Sequence, residues 1–157
     1  MSVAAKAVRL ELTTDAKAQL MQTFFELKAW PDVAPALRLL KEKGIRMAFL
    51  ANPPNKRFDA VVRNSGLDGL LEEHLSTDRV QAYKPDPRAY QMGLDAFRLA
   101  REEIAFAASA SWDAAGAKAF GYRSFWVNRT NLPVEMLGAE PDAIGNGMAD
   151  LVKFVTG

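Results

Sequence analysis

The sequence predicts an α/β fold with a mostly parallel, doubly wound sheet. Short, nearly continuous apolar runs at 45–50, 104–108 and 122–127 have the composition of strands that are buried on both faces. Between these runs lie longer segments whose apolar residues recur at helical spacing and that end at glycine or proline. Strand and helix patterns therefore alternate along the chain, which is the order expected for this class.

The composition restricts the kinds of protein to which the chain can belong. Its 157 residues suffice for one domain, and 49% hydrophobic with 25% charged residues is ordinary for a globular protein. A net charge of +1 argues against an electrostatic nucleic-acid binder, and the apolar runs are too short to span a membrane. The absence of cysteine excludes disulfides, thiolate metal sites and a cysteine nucleophile. Residues 1–7 lack the apolar core of a secretory signal, so a cytoplasmic location is expected.

The first thirty residues are predicted to form an arm and one helix. Apolar residues at 8, 10 and 12 alternate with polar ones, which indicates a short strand or an extended arm. Thr14 and Asp15 offer a helix start, and helical spacing continues to about Lys28, before Trp30 and Pro31 end it. The apolar face of this helix comprises Leu20, Met21, Phe24, Phe25 and Leu27.

The remaining elements follow in the order that the class requires. Asp32 is expected to cap a helix that Gly44 ends, and Pro87 is expected to start a later helix whose buried stripe includes Tyr90. The predicted strands are 45–50, 73–77, 104–108 and 122–127, of which 73–77 has the weakest pattern. The other predicted helices are 55–65, 114–120 and 148–155.

Two charged residues lie near the ends of predicted strands. Lys84 belongs to the run Tyr83-Lys84-Pro85-Asp86-Pro87, whose prolines cannot continue a strand, and Asp113 comes shortly after the apolar run at 104–108. Ligands of parallel sheets bind at the carboxyl ends of the strands. We therefore expect both charges at the mouth of one site.

Purely structural explanations compete with this site. A Lys-Pro-Asp-Pro sequence often leads from a loop into a helix, Asp113 can be a helix cap, and Asn52 before Pro53 is a natural turn residue. Trp112 fits buried packing as well as the lining of a pocket.

Five segments recur in an order and spacing that carry a resemblance: Trp30-Pro31-Asp32-Val33, Phe49-Leu50-Ala51-Asn52, Tyr83-Lys84-Pro85-Asp86-Pro87, Trp112-Asp113-Ala114-Ala115-Gly116-Ala117 and Phe125-Trp126-Val127-Asn128-Arg129. They resemble the type II (L-2-)haloacid dehalogenases of the haloacid dehalogenase superfamily, over nearly the whole chain. The resemblance implies a Rossmann-like core with a helical cap inserted after the first strand, and often a homodimer. Residues 1–30 would then be an N-terminal arm with a remnant of the helical cap, and residues 31–157 the haloacid dehalogenase-like core.

The resemblance also implies a hydrolytic reaction on a short L-2-haloacid. An aspartate displaces the halide from C2, and water then hydrolyses the resulting ester, with no cofactor and no metal. Lys84 would keep that aspartate ionised and oriented, since a neighbouring cation lowers the pKa of an acid. Asp113 would position the water and Lys84, Asn52 would contact the substrate or the halide, and Trp112 would line the pocket.

The chain departs from the family pattern in two respects. No strand that ends in the nucleophilic aspartate precedes the first predicted helix, so the chain is expected to be inactive by itself. Alanine also occupies three positions where the family offers polar groups, Ala51, Ala108 and Ala110. We expect Ser109 and Ser111 to compensate for these losses in part.

The absent strand would be central, between the strand that ends at Asn52 and the strand that ends near Ala108. Its loss removes roughly 5–10 kcal/mol of apolar burial, comparable with the ~5–15 kcal/mol net stability of a domain. We expect the arm at 8–12, from this chain or from a partner chain, to fill the gap, with exchange of a strand or helix in a homodimer. Direct pairing of the two flanking strands is the alternative.

Three functions are compatible with these residues and with the resemblance. The preferred one is a haloacid dehalogenase-like hydrolase whose partner is a small 2-haloacid. The second is a non-catalytic relative that binds small anions or a protein partner. The third is a magnesium-dependent phosphatase of the same superfamily, for which only Asp113 is in place as a metal ligand. Neither nucleic acid nor a membrane is an expected partner.

Overall fold

The computed structural model describes residues 9–23, 25–52 and 55–157, and it confirms the α/β class. Strands and helices alternate from Ala48 to Val127, after which a further strand comes before the last helix. The strands are Ala48–Ala51 (β1), Glu73–Ser76 (β2), Ala105–Ala108 (β3), Arg123–Val127 (β4) and Ala143–Gly145 (β5). The α-helices are Thr14–Thr23 (α1), Val33–Glu42 (α2), Asn55–Asn64 (α3), Pro87–Phe97 (α4), Ser111–Phe120 (α5) and Met148–Thr156 (α6). Within the described ranges, no helix is long and apolar enough to cross a membrane.

The strands form two separate parallel sheets rather than one. In the first sheet β1 pairs with β2, with Leu50 opposite Leu75. In the second sheet β4 lies between β3 and β5, and Phe125 is opposite both Ala107 and Ala143. The predicted direct pairing of the strands that flank the gap is therefore wrong, because β1 and β3 share no ladder.

The N-terminal arm does not fill this gap within the chain. Residues 9–13 belong to neither sheet, and Val8 lies outside the described residues. Insertion of the arm from a partner chain stays a prediction.

Side-chain packing bridges the two sheets on both of their faces. On one face, Phe49 of β1 packs against an apolar cluster that includes Phe125 of β4 and Leu40 of α2. On the other face, Leu50 of β1 packs against a cluster that includes Tyr90 of α4. The helices therefore hold the two sheets in one layered fold although the strands themselves are not continuous.

Helix α1 is shorter than predicted and buries none of its side chains. It ends at Thr23 rather than near Lys28, and none of its residues is buried. Leu20, Phe25 and Leu27 are exposed, and Phe24 lies outside the described residues. The division of the chain into residues 1–30, an arm with a remnant cap helix, and residues 31–157, the core, stays a prediction.

The capping role predicted for Asp32 is wrong. Asp32 occupies the position before α2, but its carboxylate makes no hydrogen bond to that helix. Instead it accepts hydrogen bonds from Arg129 at 2.8 Å and from the backbone N–H of Met148 at 3.0 Å. The hydrogen bond from Arg129 is the main cause that lowers the pKa of Asp32. The side chain therefore caps α6, far along the chain, and ties it to the end of β4.

Strand β5 was not predicted from the sequence. It comprises only three residues, Ala143–Gly145, which are too few to show a strand pattern. Hydrogen bonds from Asp142 N to Ser124 O and from Asn128 N to Gly145 O, both 2.8 Å, hold it beside β4. This strand thus depends on its neighbour rather than on its own composition.

Candidate functional site

The loop that carries Lys84 is fixed by the start of helix α4. The carboxylate of Asp86 accepts a hydrogen bond from the backbone N–H of Arg88 at 2.9 Å and caps the helix, and Pro87 occupies its first turn. The Arg88 guanidinium also binds Asp86 and lowers the pKa of this carboxyl to about 2. Lys84 therefore lies two residues before Asp86, the capping residue of a firmly defined helix.

The ammonium group of Lys84 lies between the two sheets. Its Nζ is 2.5 Å from Asp113 Oδ2 and donates to the carbonyl of Leu50 on β1 at 3.1 Å. The same atom lies 5.3 Å from the ring centre of Phe106 on β3. Both charged side chains are only 9% exposed. A pair with so little access to water stays in place only if its remaining polar atoms find partners.

Asp113 lies in the first turn of α5, not at its cap. The helix begins at Ser111, three residues earlier than predicted, and Ala110 occupies the cap position without a side-chain hydrogen bond. The helix-cap explanation for Asp113 is therefore wrong. A carboxylate in the first turn is favoured by the helix dipole, and its side chain reaches back toward Lys84.

Tyr90 is a member of the site that the sequence did not reveal. Its hydroxyl donates to Asp113 Oδ1 at 2.9 Å, while Lys84 occupies Oδ2. The ring is fully buried, and this burial, followed by the charge of Asp113, raises the pKa of Tyr90. The sequence assigned Tyr90 only to an apolar stripe. A usable signal was that a buried tyrosine hydroxyl requires a hydrogen-bond partner.

Gly116 provides the space that this tyrosine needs. A Cβ atom at Gly116 would lie 2.5 Å from the Tyr90 hydroxyl and 2.8 Å from Cβ of Pro85. Both distances are shorter than van der Waals contact, so only glycine lets α5 approach α4 this closely. Gly116, three residues after Asp113, is therefore required for the close packing of the two helices at the site.

Asn52 joins the site through the backbone of Lys84. Its Oδ1 accepts a hydrogen bond from Lys84 N at 2.9 Å, and the Thr77 hydroxyl lies 3.4 Å from the same atom. The residue thus ties the end of β1 to the lysine loop. These contacts lie within the protein, and the predicted contact of Asn52 with substrate or halide stays a prediction.

Ser109 and Trp112 lie at the periphery of the site. Ser109 is exposed, and its backbone carbonyl accepts a hydrogen bond from Trp126 Nε1 at 3.2 Å. Trp112 is 42% exposed, which contradicts the buried-packing explanation. The hydroxyl of Ser111 is bound to Glu135. The roles predicted for Ser109 and Trp112 in substrate binding stay predictions.

The geometry suits binding and orientation of an anion near the strand ends. Both oxygens of Asp113 are engaged, one by Tyr90 and one by Lys84, so this carboxylate is held in a single orientation. The ammonium group of Lys84 is the cation that a second anion would meet. In the part of the chain that the structure describes, no group of three or more acidic or histidine side chains forms a candidate metal site.

Comparisons with known proteins identify the family of the chain. Residues 4–121 match the family model of the haloacid dehalogenase-like hydrolases. The chain is 41% identical to the haloacetate dehalogenase H-2 of Moraxella sp. (strain B) over 135 residues, which cover 86% of this chain and 60% of that protein. It therefore spans about three fifths of that curated relative.

Solved structures show the same similarity. The crystal structure of the L-2-haloacid dehalogenase RSc1362 matches with a TM-score of 0.92 at 36% identity, over 99% of this chain and 69% of that one. The L-2-haloacid dehalogenase from Xanthobacter autotrophicus with chloropropionic acid covalently bound matches with a TM-score of 0.83 at 26% identity, over 99% and 72%. On the evidence of sequence and fold together, this chain belongs to the haloacid dehalogenase-like hydrolase family.

Proposed function

We propose that this chain provides the lysine and aspartate side of the active site of a 2-haloacid dehalogenase acting on short L-2-haloacids. The observation that carries the proposal is the buried Lys84–Asp113 pair, completed by the Tyr90 hydroxyl, where β1 and β3 end. The dehalogenase names of the relatives support the choice of substrate. A cytoplasmic location and a homodimer are further parts of this proposal.

The reaction proceeds in two half-reactions. A carboxylate attacks C2 of the haloacid, a carbon–oxygen bond forms and the halide leaves with the electron pair of the broken bond. Water then adds to the carbonyl carbon of the ester and the bond from this carbon to the alkoxide oxygen breaks. One proton of the water passes to the departing alkoxide, which becomes the hydroxyacid, and the other goes to solvent as the carboxylate is restored. The ammonium of Lys84 keeps the attacking carboxylate ionised, and Asp113 orients Lys84 and the water.

Asp113 itself is unsuited to be the attacking group. Its two oxygens are bound by Lys84 and Tyr90 at 2.5 and 2.9 Å. Among the described residues, no other carboxylate contacts the Lys84 ammonium. The attacking carboxylate is therefore assigned to a segment outside the described residues, and the chain alone is expected to release no halide.

The test is chloride release from L-2-chloropropionate. The chain alone is compared with a chimera that joins it to the segment of the RSc1362 dehalogenase that it does not cover. We expect release only from the chimera, and we expect Lys84→Met to reduce it by at least about a hundredfold, as for other charged groups that act in the transition state. Lys118→Met is the matched control, because Lys118 also pairs with a carboxylate at 2.5 Å, on the surface. A folded chimera without turnover would contradict the proposal.

A non-catalytic anion-binding role is the second candidate. It is favoured by the three alanines at 51, 108 and 110, which offer no polar side chain at the strand ends. This role predicts that the chimera binds L-2-chloropropionate or L-lactate with a Lys84-dependent affinity but releases no chloride. Equilibrium titration of the inactive chimera with these two anions measures the affinity. The absence of any binding would contradict the anion-binding role.

A further inference from the structure

Asn146 and Gly147 form the short connection between strand β5 and helix α6. Asn146 is exposed, and Gly147 occupies the position before the helix with an extended backbone. Asparagine is a thermolabile residue, and a glycine after it has no side chain to hinder attack of its backbone nitrogen on the asparagine side chain. Whether this attack occurs in the folded chain depends on how the surrounding structure holds the two residues.

The hydrogen bonds that hold this connection leave the reacting atoms free. Three of them fix the main chain on either side: Asn128 N to Gly145 O at 2.8 Å, and Asn146 N to Asp150 Oδ2 and Met148 N to Asp32 Oδ2, both at 3.0 Å. In the described part of the chain, no group hydrogen-bonds to the Gly147 N–H or to the side-chain amide of Asn146. The attacking nitrogen and the carbon that it attacks can therefore meet without loss of a hydrogen bond.

We propose that Asn146 is a site of spontaneous deamidation, independent of the proposed reaction. The Gly147 nitrogen loses its proton to solvent and bonds to Cγ of Asn146, which closes a cyclic imide. The Cγ–Nδ2 bond breaks, and Nδ2 leaves as ammonia with a proton from water. A second water then adds to one carbonyl of the imide and breaks its bond to the nitrogen. Addition at Cγ gives aspartate, whereas addition at the backbone carbonyl gives isoaspartate, in which the main chain runs through Cβ and Cγ.

Two other asparagines lack this arrangement and serve as internal controls. Asn131 is also exposed, but the next residue is Leu132, which carries a branched side chain. The Leu132 N–H donates to Asn128 Oδ1 at 2.9 Å, so attack by this nitrogen would cost a hydrogen bond. Asn64 is the last residue of α3, and its side-chain amide donates to Phe25 O at 2.6 Å. We therefore expect both to react much more slowly than Asn146.

The products would loosen the start of helix α6. A carboxylate at position 146 would lie beside those of Asp32 and Asp150, which already accept hydrogen bonds at this helix start. Like charges in one place disfavour each other, and the guanidinium of Arg129 is already engaged by Asp32 at 2.8 Å. Isoaspartate also lengthens the main chain by one carbon between two fixed points. The hydrogen bonds on the two sides of the connection cannot then both keep their geometry.

Peptide mapping of the aged chain tests the proposal. Asn131 and Asn146 fall in the same tryptic peptide, 130–153, and fragment spectra locate each amide-to-acid conversion. An endoproteinase that cleaves before aspartate but not before isoaspartate separates the two products. At neutral pH and physiological temperature, we expect Asn146 to convert at least about tenfold faster than Asn131 and Asn64, which corresponds to about 1.4 kcal/mol in the barrier. Equal rates at the three residues would overturn the proposal.

Two variants test the chemistry of the dipeptide. Gly147→Ala keeps the asparagine and adds a Cβ next to the attacking nitrogen, and we expect conversion at Asn146 to slow by about tenfold. The added Cβ would lie 3.1 Å from Asp32 Oδ2, on a side chain that is 41% exposed and free to shift. Asn146→Gln keeps an amide on an exposed side chain but would require a larger ring, so the conversion in peptide 130–153 should disappear. Undiminished conversion in either variant would contradict the mechanism.

Hydrogen exchange measures the effect on helix α6. Anion-exchange chromatography separates the aged chain from the fresh one by its additional negative charge, and peptide mapping identifies the isoaspartate fraction. In that fraction we expect the amides of Leu151 and Val152 to exchange at least about tenfold faster, because the helix opens as a local unit. The amide of Ala117 in α5 is the control and should be unchanged. Equal exchange of α6 in both fractions would overturn the proposed loosening.

Discussion

Strand β1 is apolar throughout and strand β4 begins with Arg123 and Ser124, yet the interior of β4 is the more deeply buried. β4 is paired on both sides, and its Phe125 and Trp126 are at most 2% exposed. β1 is paired on one side only, and all four of its residues are half-buried. The burial of a strand here therefore depends on whether both neighbouring strands are present, and much less on how apolar the strand is.

The largest expected effect compares two phenylalanines in these strands. Phe125→Ala removes a fully packed ring from β4 and is expected to lower the free energy of unfolding by about 3–5 kcal/mol. Phe49→Ala removes a half-buried ring from β1 and is expected to cost about half as much. Urea denaturation of both variants measures the difference. Equal losses would mean that the open edge of β1 does not weaken its packing.

The next effect concerns the ion pair that connects the two sheets. Asp113→Ala leaves the ammonium of Lys84 almost without solvent and with Leu50 O as its remaining acceptor, so we expect a loss of about 3–5 kcal/mol. Adding Lys84→Met to this variant is expected to recover part of the loss. Glu73→Ala, which breaks the exposed pair with Arg79, is the control and should cost less than about 1 kcal/mol. A similar loss in both single variants would show that the pair is not effectively buried.

A smaller effect is expected at the contact between α4 and α5. Gly116→Ala places a methyl group 2.5 Å from the Tyr90 hydroxyl and should destabilise the protein by about 1–3 kcal/mol. Tyr90→Phe removes that hydroxyl and should relieve part of the clash in the double variant. A double-mutant cycle of chemical denaturation measures this coupling. If the stability losses of the two single variants simply add in the double variant, the contact with Pro85 alone causes the strain.

The smallest effect is a change in alkaline stability. Burial raises the pKa of Tyr90 above its ordinary value of about 10, so the folded state holds this proton more tightly than the unfolded state. The stabilising contribution is fully present below pH ~10 and is lost as the pH rises above it. Tyr90→Phe should therefore flatten the decline of the melting temperature between pH 9 and 11 (about one unit on either side of the ordinary value). Tyr122, whose pKa burial raises to about 12, leaves a residual slope.

The two charged residues of the candidate site could be predicted from the sequence, whereas their buried partner Tyr90 could not. Lys84 and Asp113 are charges beside apolar runs, and parallel strands bring their carboxyl ends to one edge. Tyr90 gave the same helical-spacing signal as an ordinary core residue, because its hydroxyl partner lies 23 residues away in the chain. Asp32 was misassigned for a related reason, since its partners Arg129 and Met148 are distant in sequence.

The arrangement of the strands could be predicted only in part. Apolar runs located β1, β3 and β4, but β5 has only three residues, which are too few for a recognisable pattern. The family resemblance also implied a gap between the first and third strands, without deciding how it is resolved. That outcome depends on side-chain packing, because Leu50 of β1 and Phe106 of β3 pack against one apolar cluster although the two strands form no ladder.

Helix α1 affects how thermal unfolding curves of this protein are interpreted. It has 10 residues and none is buried, so it lacks the tertiary packing from which most helices in proteins draw their stability. Warming should therefore fray this segment well before the fluorescence of the buried Trp126 changes. Far-ultraviolet ellipticity will begin to decline ahead of the cooperative transition, and a melting temperature fitted to that signal alone will combine two independent processes.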